Sequence, residues 1–295
     1  MMEFFGKTQI DFVGKRMLFF GVSGLGVLLG IVALIQIARG SGNLGIDFAG
    51  GAAIEIKFDA PVKMDAARAA LEAAQLAGPD LQEVVGANRL LIRFKKSGAH
   101  LGAQVQAAFS KAFPDNRFVI ESSTEIGPTI GQKLRKDAVV AIALSMIGIV
   151  AYIALRFEFQ FGVAAAIATF HDILVILGIL FLAQKEITLL LVTALLTIAG
   201  YSLSDTVVVF DRIRENLRFR KKETLDQVIN KSINDVLTRT FNTSLTTFLA
   251  VLSLFLLGGE VIHDFALVML LGIAIGTYSS WYIASPLLLV WRKGT

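Results

Sequence analysis

GYSLSDTVVVFDRIRE, residues 200–215, decides how the rest of the chain is to be read. It closes an apolar run that begins near Ile187, holds one acid, Asp205, inside that run, and ends in Asp211, Arg212, Arg214 and Glu215. A run of this length spans a bilayer as a helix. A carboxylate within such a helix costs about 2.5–3.5 kcal/mol on insertion scales and lines a pathway or meets a partner. Helical spacing predicts one stripe through Tyr201, Asp205, Val208 and Arg212, with Thr197 and Ser204 beside it. The stripe reads as an ion relay descending from mid-membrane to a charged end. The plainer alternative is a carboxylate that only fixes helix packing.

The bulk composition agrees with a membrane reading. The 295 residues are 55% hydrophobic, with mean hydropathy +0.66, more apolar than soluble domains carry. The net charge of +4 is small and its basic residues cluster, which argues for orientation in a membrane and against nucleic-acid binding. No cysteine is present, so disulfides, thiolate metal sites and a cysteine nucleophile are excluded.

Outward from residues 200–215, five further apolar runs appear: 17–37, 138–155, 161–182, 241–257 and 265–290. The first follows Lys7, Lys15 and Arg16, lacks a small-x-small cleavage site, and reads as an uncleaved first span. Residues 40–133 carry charges and short apolar runs. They predict strand 46–58, helix 64–77, strands 81–85 and 89–94, helix 99–113 and strand 117–122, a ferredoxin-like α+β domain. The expected divisions are 1–39 with the first span, 40–133 as the extracytoplasmic domain, and 134–295 with spans two to six. A cytoplasmic amphipathic segment is expected near 211–238, its residues 225–237 forming a short helix on the membrane surface or on the bundle. Both termini inside satisfies the positive-inside rule, except that Lys133, Arg135 and Lys136 fall outside, beside a long translocated domain where the rule weakens.

Arg239 opens the fifth run and aligns with Asn242, Thr243 and Thr246, a polar face suited to a helix contact or a hydrated path. It is the cation expected near Asp205; the alternative is an interfacial anchor. Desolvation favours a neutral carboxyl and a nearby cation favours its anion, so such a pair is suited to protonation cycles. His171 and Asp172 lie midway along the third run. Adjacent positions do not share a helix face, so the pair is not expected to chelate; either the histidine titrates, or one or both residues bond across helices and hold the bundle. His263 and Asp264 are expected in a solvated loop, and His100 on a surface. No metal site is expected from three scattered histidines. The last run places Gly272, Gly276, Ser279 and Ser280 at small-xxx-small spacing, a close-packing face. Gly45, Gly50 and Gly51 in GIDFAGG are read as permitting tight turns and close strand approach, since no nucleotide-loop Lys-Ser/Thr follows.

GYSLSDTVVVFDRIREN closely resembles the fourth-span signature of the SecF family of bacterial protein-export membrane proteins. GIDFAGG, GPTIG, RFEF, HDI, RTFNTS and GTYSSWYIASP occur in the order of that family. The resemblance implies half of a twelve-span assembly of the resistance-nodulation-division type, in the bacterial inner membrane and completed by SecD. It implies assistance to the SecYEG translocon, with YajC as a further associate and exported unfolded polypeptide as cargo, driven by the proton motive force without a cofactor. It also implies that Asp205 and Arg239 form the core of the proton-coupled activity. Other readings are a small-molecule or lipid exporter of the same superfamily and a passive translocon scaffold.

Overall fold

The computed structural model describes residues 8–76, 78–84, 88–95, 100–220 and 222–292. Lys7, the expected helix ends at Ala77 and Ala99, the strand end at Val85, Lys221 and Lys293 lie outside the described residues. The chain divides into two compact units, residues 44–139 and the remainder on either side of them.

The smaller unit contains α2 (Ile46–Ala49), β1 (Gly51–Phe58), α3 (Met64–Ala73), β2 (Asp80–Val84), β3 (Arg89–Phe94), α4 (Leu101–Ala112) and β4 (Phe118–Ile126). Its four strands form one antiparallel sheet in the order β2-β3-β1-β4, so both helical connections cross over an intervening strand. Alternation sets the faces. Ala52, Ile54, Ile56 and Phe58 of β1 and Leu90, Ile92 and Phe94 of β3 point into a core closed by Ala67 and Leu71 of α3 and Val105 and Phe109 of α4. Residues 46–49 form a helical turn, which corrects the strand expected from Ile46 onward. The turn ends at Gly50 and Gly51, whose φ values of +75° and +130° only glycine adopts without strain. A Cβ on Gly51 would strike the Phe94 carbonyl, and one on Gly131 would lie 3.0 Å from the Gly50 nitrogen. The two glycine-rich stretches therefore pack on each other. Gly45, at φ −65°, has a backbone open to any residue.

The larger unit is helical: α1 (Arg16–Ala38), the distal part of α5 (Pro128–Arg156), α6 (Phe159–Leu182), α7 (Leu189–Arg218), α8 (Leu225–Leu257), α9 (Gly259–Ser279), a π-helical turn (Ser280–Ala284) and α10 (Ser285–Arg292). Among the described residues six helices are long and apolar enough to cross a membrane, the last running through the π turn. α6 and α7 are mostly buried, whereas α1, α5 and the apolar half of α8 expose most of their surface.

Two expectations about the polar segment are corrected. The charged residues from Asp211 to Arg218 continue α7, and residues 225–237 are the first third of a single 33-residue helix that also makes the fifth span. Neither glycine nor proline interrupts 225–257, and a capping box starts α8: the Thr224 hydroxyl accepts from Gln227 N and the Gln227 side-chain Oε1 accepts from Thr224 N. The apolar face of this section, Ile229, Ile233 and Leu237, packs with Val209, Phe210 and Ile213 of α7. Arg212 ties the two helices by pairing with Asp235 of α8 at 2.6 Å, and it also pairs with Glu215 on its own helix at 2.8 Å. His263 and Asp264 are also helical, within α9, and not in a loop; Lys185 pairs with Asp264 at 2.7 Å.

Glycines set how close the helices lie. A Cβ at Gly30 of α1 would fall on the Leu174 backbone of α6, and one at Gly178 of α6 would lie 2.9 Å from Gly30 N. On α9, a Cβ at Gly272 would overlap the Ile198 side chain, and one at Gly276 would lie 2.8 Å from Ser202 Cβ. The small face expected on the last span thus meets α7. The α1–α6 crossing escaped notice in the sequence, although Gly26 and Gly30 form a G-x-x-x-G pattern.

Candidate functional site

Two buried carboxylates are held at α7: Asp205 of that helix and Asp172 of α6, which bonds to it through Ser202. Asp205 of α7 is 4% exposed. Its Oδ2 accepts from Ser244 Oγ of α8 at 3.0 Å and from Thr277 Oγ1 of α9 at 3.4 Å, and Thr277 Oγ1 also lies 2.6 Å from Ser244 Oγ. Three helices therefore converge on one carboxylate oxygen through hydroxyls, groups that can donate to an anion or accept from an acid.

The polar residues expected around Asp205 are only partly gathered there. Tyr201 is half-buried, and its enclosed hydroxyl has no hydrogen-bond partner among the described residues. Ser204 is exposed. Arg239, Thr243 and Thr246 lie on the exposed side of α8 and Asn242 is half-buried. Among the described residues no ion pair joins Arg239 to Asp205; the inward position on α8 belongs to Ser244, five residues further along. Thr243 and Thr246 turn back onto the Arg239 and Thr243 carbonyls.

On α6, Asp172 is fully buried and His171 is 6% exposed. His171 Nδ1 lies 2.8 Å from Asp172 Oδ1, and Ser202 Oγ of α7 donates to Asp172 Oδ2 at 2.5 Å. Asp172 thus bonds across helices, as one of the expected readings has it, and the adjacent side chains also meet although helical spacing separates their faces. The exposed face of α6 is taken by Ile167 and Phe170, so both His171 and Asp172 turn inward, where their side chains reach each other. The His171 ring stands 6.4 Å from that of Tyr278, whose hydroxyl bonds Ser23 Oγ and the Phe19 carbonyl of α1. Ser202, Ser244, Thr277, Tyr278 and Ser23 were not anticipated as site residues. Among the described residues no three His, Asp or Glu side chains converge as metal ligands.

The pattern of the C-terminal part of protein export membrane protein SecD/SecF matches residues 104–294, and the SecD/SecF GG motif matches residues 43–62. The protein translocase subunit SecF of Thermodesulfovibrio yellowstonii is 48% identical, over 100% of this chain and 99% of its own length. The chain belongs to the SecF branch of the SecD/SecF family. SecF of Endomicrobium trichonymphae is 43% identical, over 100% of this chain and 95% of its own length. The crystal structure of SecDF from Thermus thermophilus, described as a translocon-associated membrane protein, superposes with a TM-score of 0.86 at 33% identity. A super-membrane-facing form of SecDF superposes with a TM-score of 0.70 at 33% identity. Each comparison covers 97% of this chain but only 39% of the solved chain. This SecD/SecF family member is thus a multi-pass membrane protein, and the C-terminal family match encloses all of its buried polar residues from Asp172 to Thr277.

Proposed function

We propose that this SecD/SecF family member is the SecF-type half of a SecD–SecF complex that uses the proton motive force to assist SecYEG-dependent export of unfolded polypeptide. The observation that carries the reading is Asp205, a carboxylate enclosed among spanning helices whose partners among the described residues are hydroxyls. An acid kept there at a cost of about 2.5–3.5 kcal/mol gains its reason if it exchanges a proton.

The chain sits in the inner membrane with both termini cytoplasmic and residues 40–133 outside as a ferredoxin-like domain, a label supported by the β2-β3-β1-β4 strand order. Residues 1–39 supply the first span and 134–295 the other five, with the cytoplasmic section near 211–238. The partner half is of SecD type, with YajC an associate. Support comes from the polar faces left outward on α7 and α8, at Thr193, Thr197 and Ser204 and at Arg239, Thr243 and Thr246, which suit a protein or water neighbour better than lipid.

In the mechanism, a change of protonation at Asp205 alters its hold on Ser244 and Thr277, and Arg239 is the alternative partner. Ser244 and Arg239 are separated by about 7.5 Å of helical rise, so the exchange requires α8 to shift along or turn about its axis. A proton crossing 100 mV supplies about 2.3 kcal/mol, enough to bias such a bistable packing. The test uses Asp205→Asn in vesicles holding the SecD-type partner and SecYEG. Proton-driven export is expected to be lost while the complex still assembles. Full export would refute the role and leave a passive scaffold.

A further inference from the structure

We propose that His171 and Asp172 form a second proton-carrying site, separate from Asp205. Asp172 has no water-exposed surface, and its described partners are the adjacent imidazole and the Ser202 hydroxyl. With Nδ1–H of neutral His171 donating to the carboxylate, the opposite ring nitrogen, Nε2, carries a lone pair. Nε2 is buried and, among the described residues, has no hydrogen-bond partner. A dyad of neutral imidazole and carboxylate has a net charge of −1 in an enclosed site. Uptake of one proton from hydronium at Nε2 forms one N–H bond, leaves water behind, and takes the dyad to net zero without breaking its internal hydrogen bond. A histidine serving only as a bracket for Asp172 needs Nδ1 alone; it does not account for an enclosed and idle Nε2.

The surroundings make this a site in its own right. α9 presents Tyr278 and Ser279, the π turn presents Tyr282 beside Tyr278, α7 presents Ser202, and α1 contributes the uncharged Ser23. Asp205, one turn beyond Ser202, is engaged with Ser244 and Thr277, and no direct hydrogen bond joins the two carboxylates. Tyr278 stands between the imidazole and α1, so the site's charge acts on the packing of the first span, whereas that of Asp205 acts on α8.

This inference rests on the reading of the chain as proton-coupled, but its test does not. The chain has three histidines, so a His100→Gln/His263→Gln variant leaves His171 alone. The full-length variant, labelled with ¹⁵N-histidine and held in lipid nanodiscs, is titrated by NMR from about pH 5 to about pH 8. Nε2 is expected to pass between unprotonated and protonated states in a single one-proton transition. Asp172→Asn is expected to move the midpoint, and Asp205→Asn to leave it in place. An Nε2 fixed in one state across the range, an unmoved midpoint in Asp172→Asn, or a transition abolished by Asp205→Asn would each overturn the proposal. If His171 titrates as expected while Asp205→Asn retains full export, the dyad stands and the role of Asp205 falls.

Discussion

Replacing Gly30 by alanine tests whether the first span is held by backbone contact. The added methyl would fall on the Leu174 carbonyl and its neighbouring backbone atoms, which cannot rotate aside as a flexible side chain does. Across the crossing, a Cβ at Gly178 would lie 2.9 Å from Leu29 Cβ and 3.0 Å from the Gly26 carbonyl, against an optimum of about 3.5–4.0 Å. α1 and α6 must therefore separate, and a gap of about 0.5–1 Å forfeits a quarter to a half of each dispersion contact on that face. Gly24→Ala is the control, because its Cβ meets nothing within 4 Å. Both substitutions gain about 0.5–1 kcal/mol of helix propensity, so the difference between them isolates the crossing. Overpacking of this kind costs about 1–3 kcal/mol, a shift of about 5- to 150-fold in the docking equilibrium. Equilibrium unfolding in mixed micelles, with hydrogen exchange along α1, measures it. Equal stability of the two variants would refute the claim that α1 docks through its glycines.

Two further outcomes follow from the polar contacts. Ser244→Ala and Thr277→Val each remove a hydroxyl from Asp205 and are expected to destabilise by about 1–3 kcal/mol; a double-mutant cycle in the same micelles should be non-additive, and strict additivity would mean the hydroxyls do not act together. Asn234→Leu removes both amide contacts to the Ile10 backbone, at 2.9 Å each, and should cost about 1–3 kcal/mol with faster hydrogen exchange at Ile10. Unchanged exchange there would show that the contacts do not hold residues 8–14.

The apolar runs exposed the spans because only helices of that length satisfy their own backbone in lipid. Strand alternation and turn residues likewise exposed the order of elements in residues 51–126. The inner face of α8 was not legible, and the reason is chemical. Serine and threonine can return their hydroxyls to a carbonyl one turn back, as Thr243 and Thr247 do, so a hydroxyl in an apolar run marks no direction. Thr243 and Ser244 look alike in sequence, yet one is exposed and the other meets Asp205. Asp205 itself was legible because a carboxylate has no such private partner. Helical spacing misjudged His171 and Asp172 because the buried arc of α6 is wide enough to hold both, and side chains turned inward from adjacent positions can reach each other.

The wide turn Ser280–Ala284 has a consequence for anyone drawing the last span. Ser280 donates to the Thr277 carbonyl and Ser285 to the Ser280 carbonyl five residues back, so the extra residue is stitched in by hydroxyls. A π turn advances the chain by one residue without advancing its winding. A single helical wheel from Ile262 to Leu289 therefore misplaces the residues after Ala284 by roughly 100°, and an arc of side chains that looks continuous on paper is two arcs in space.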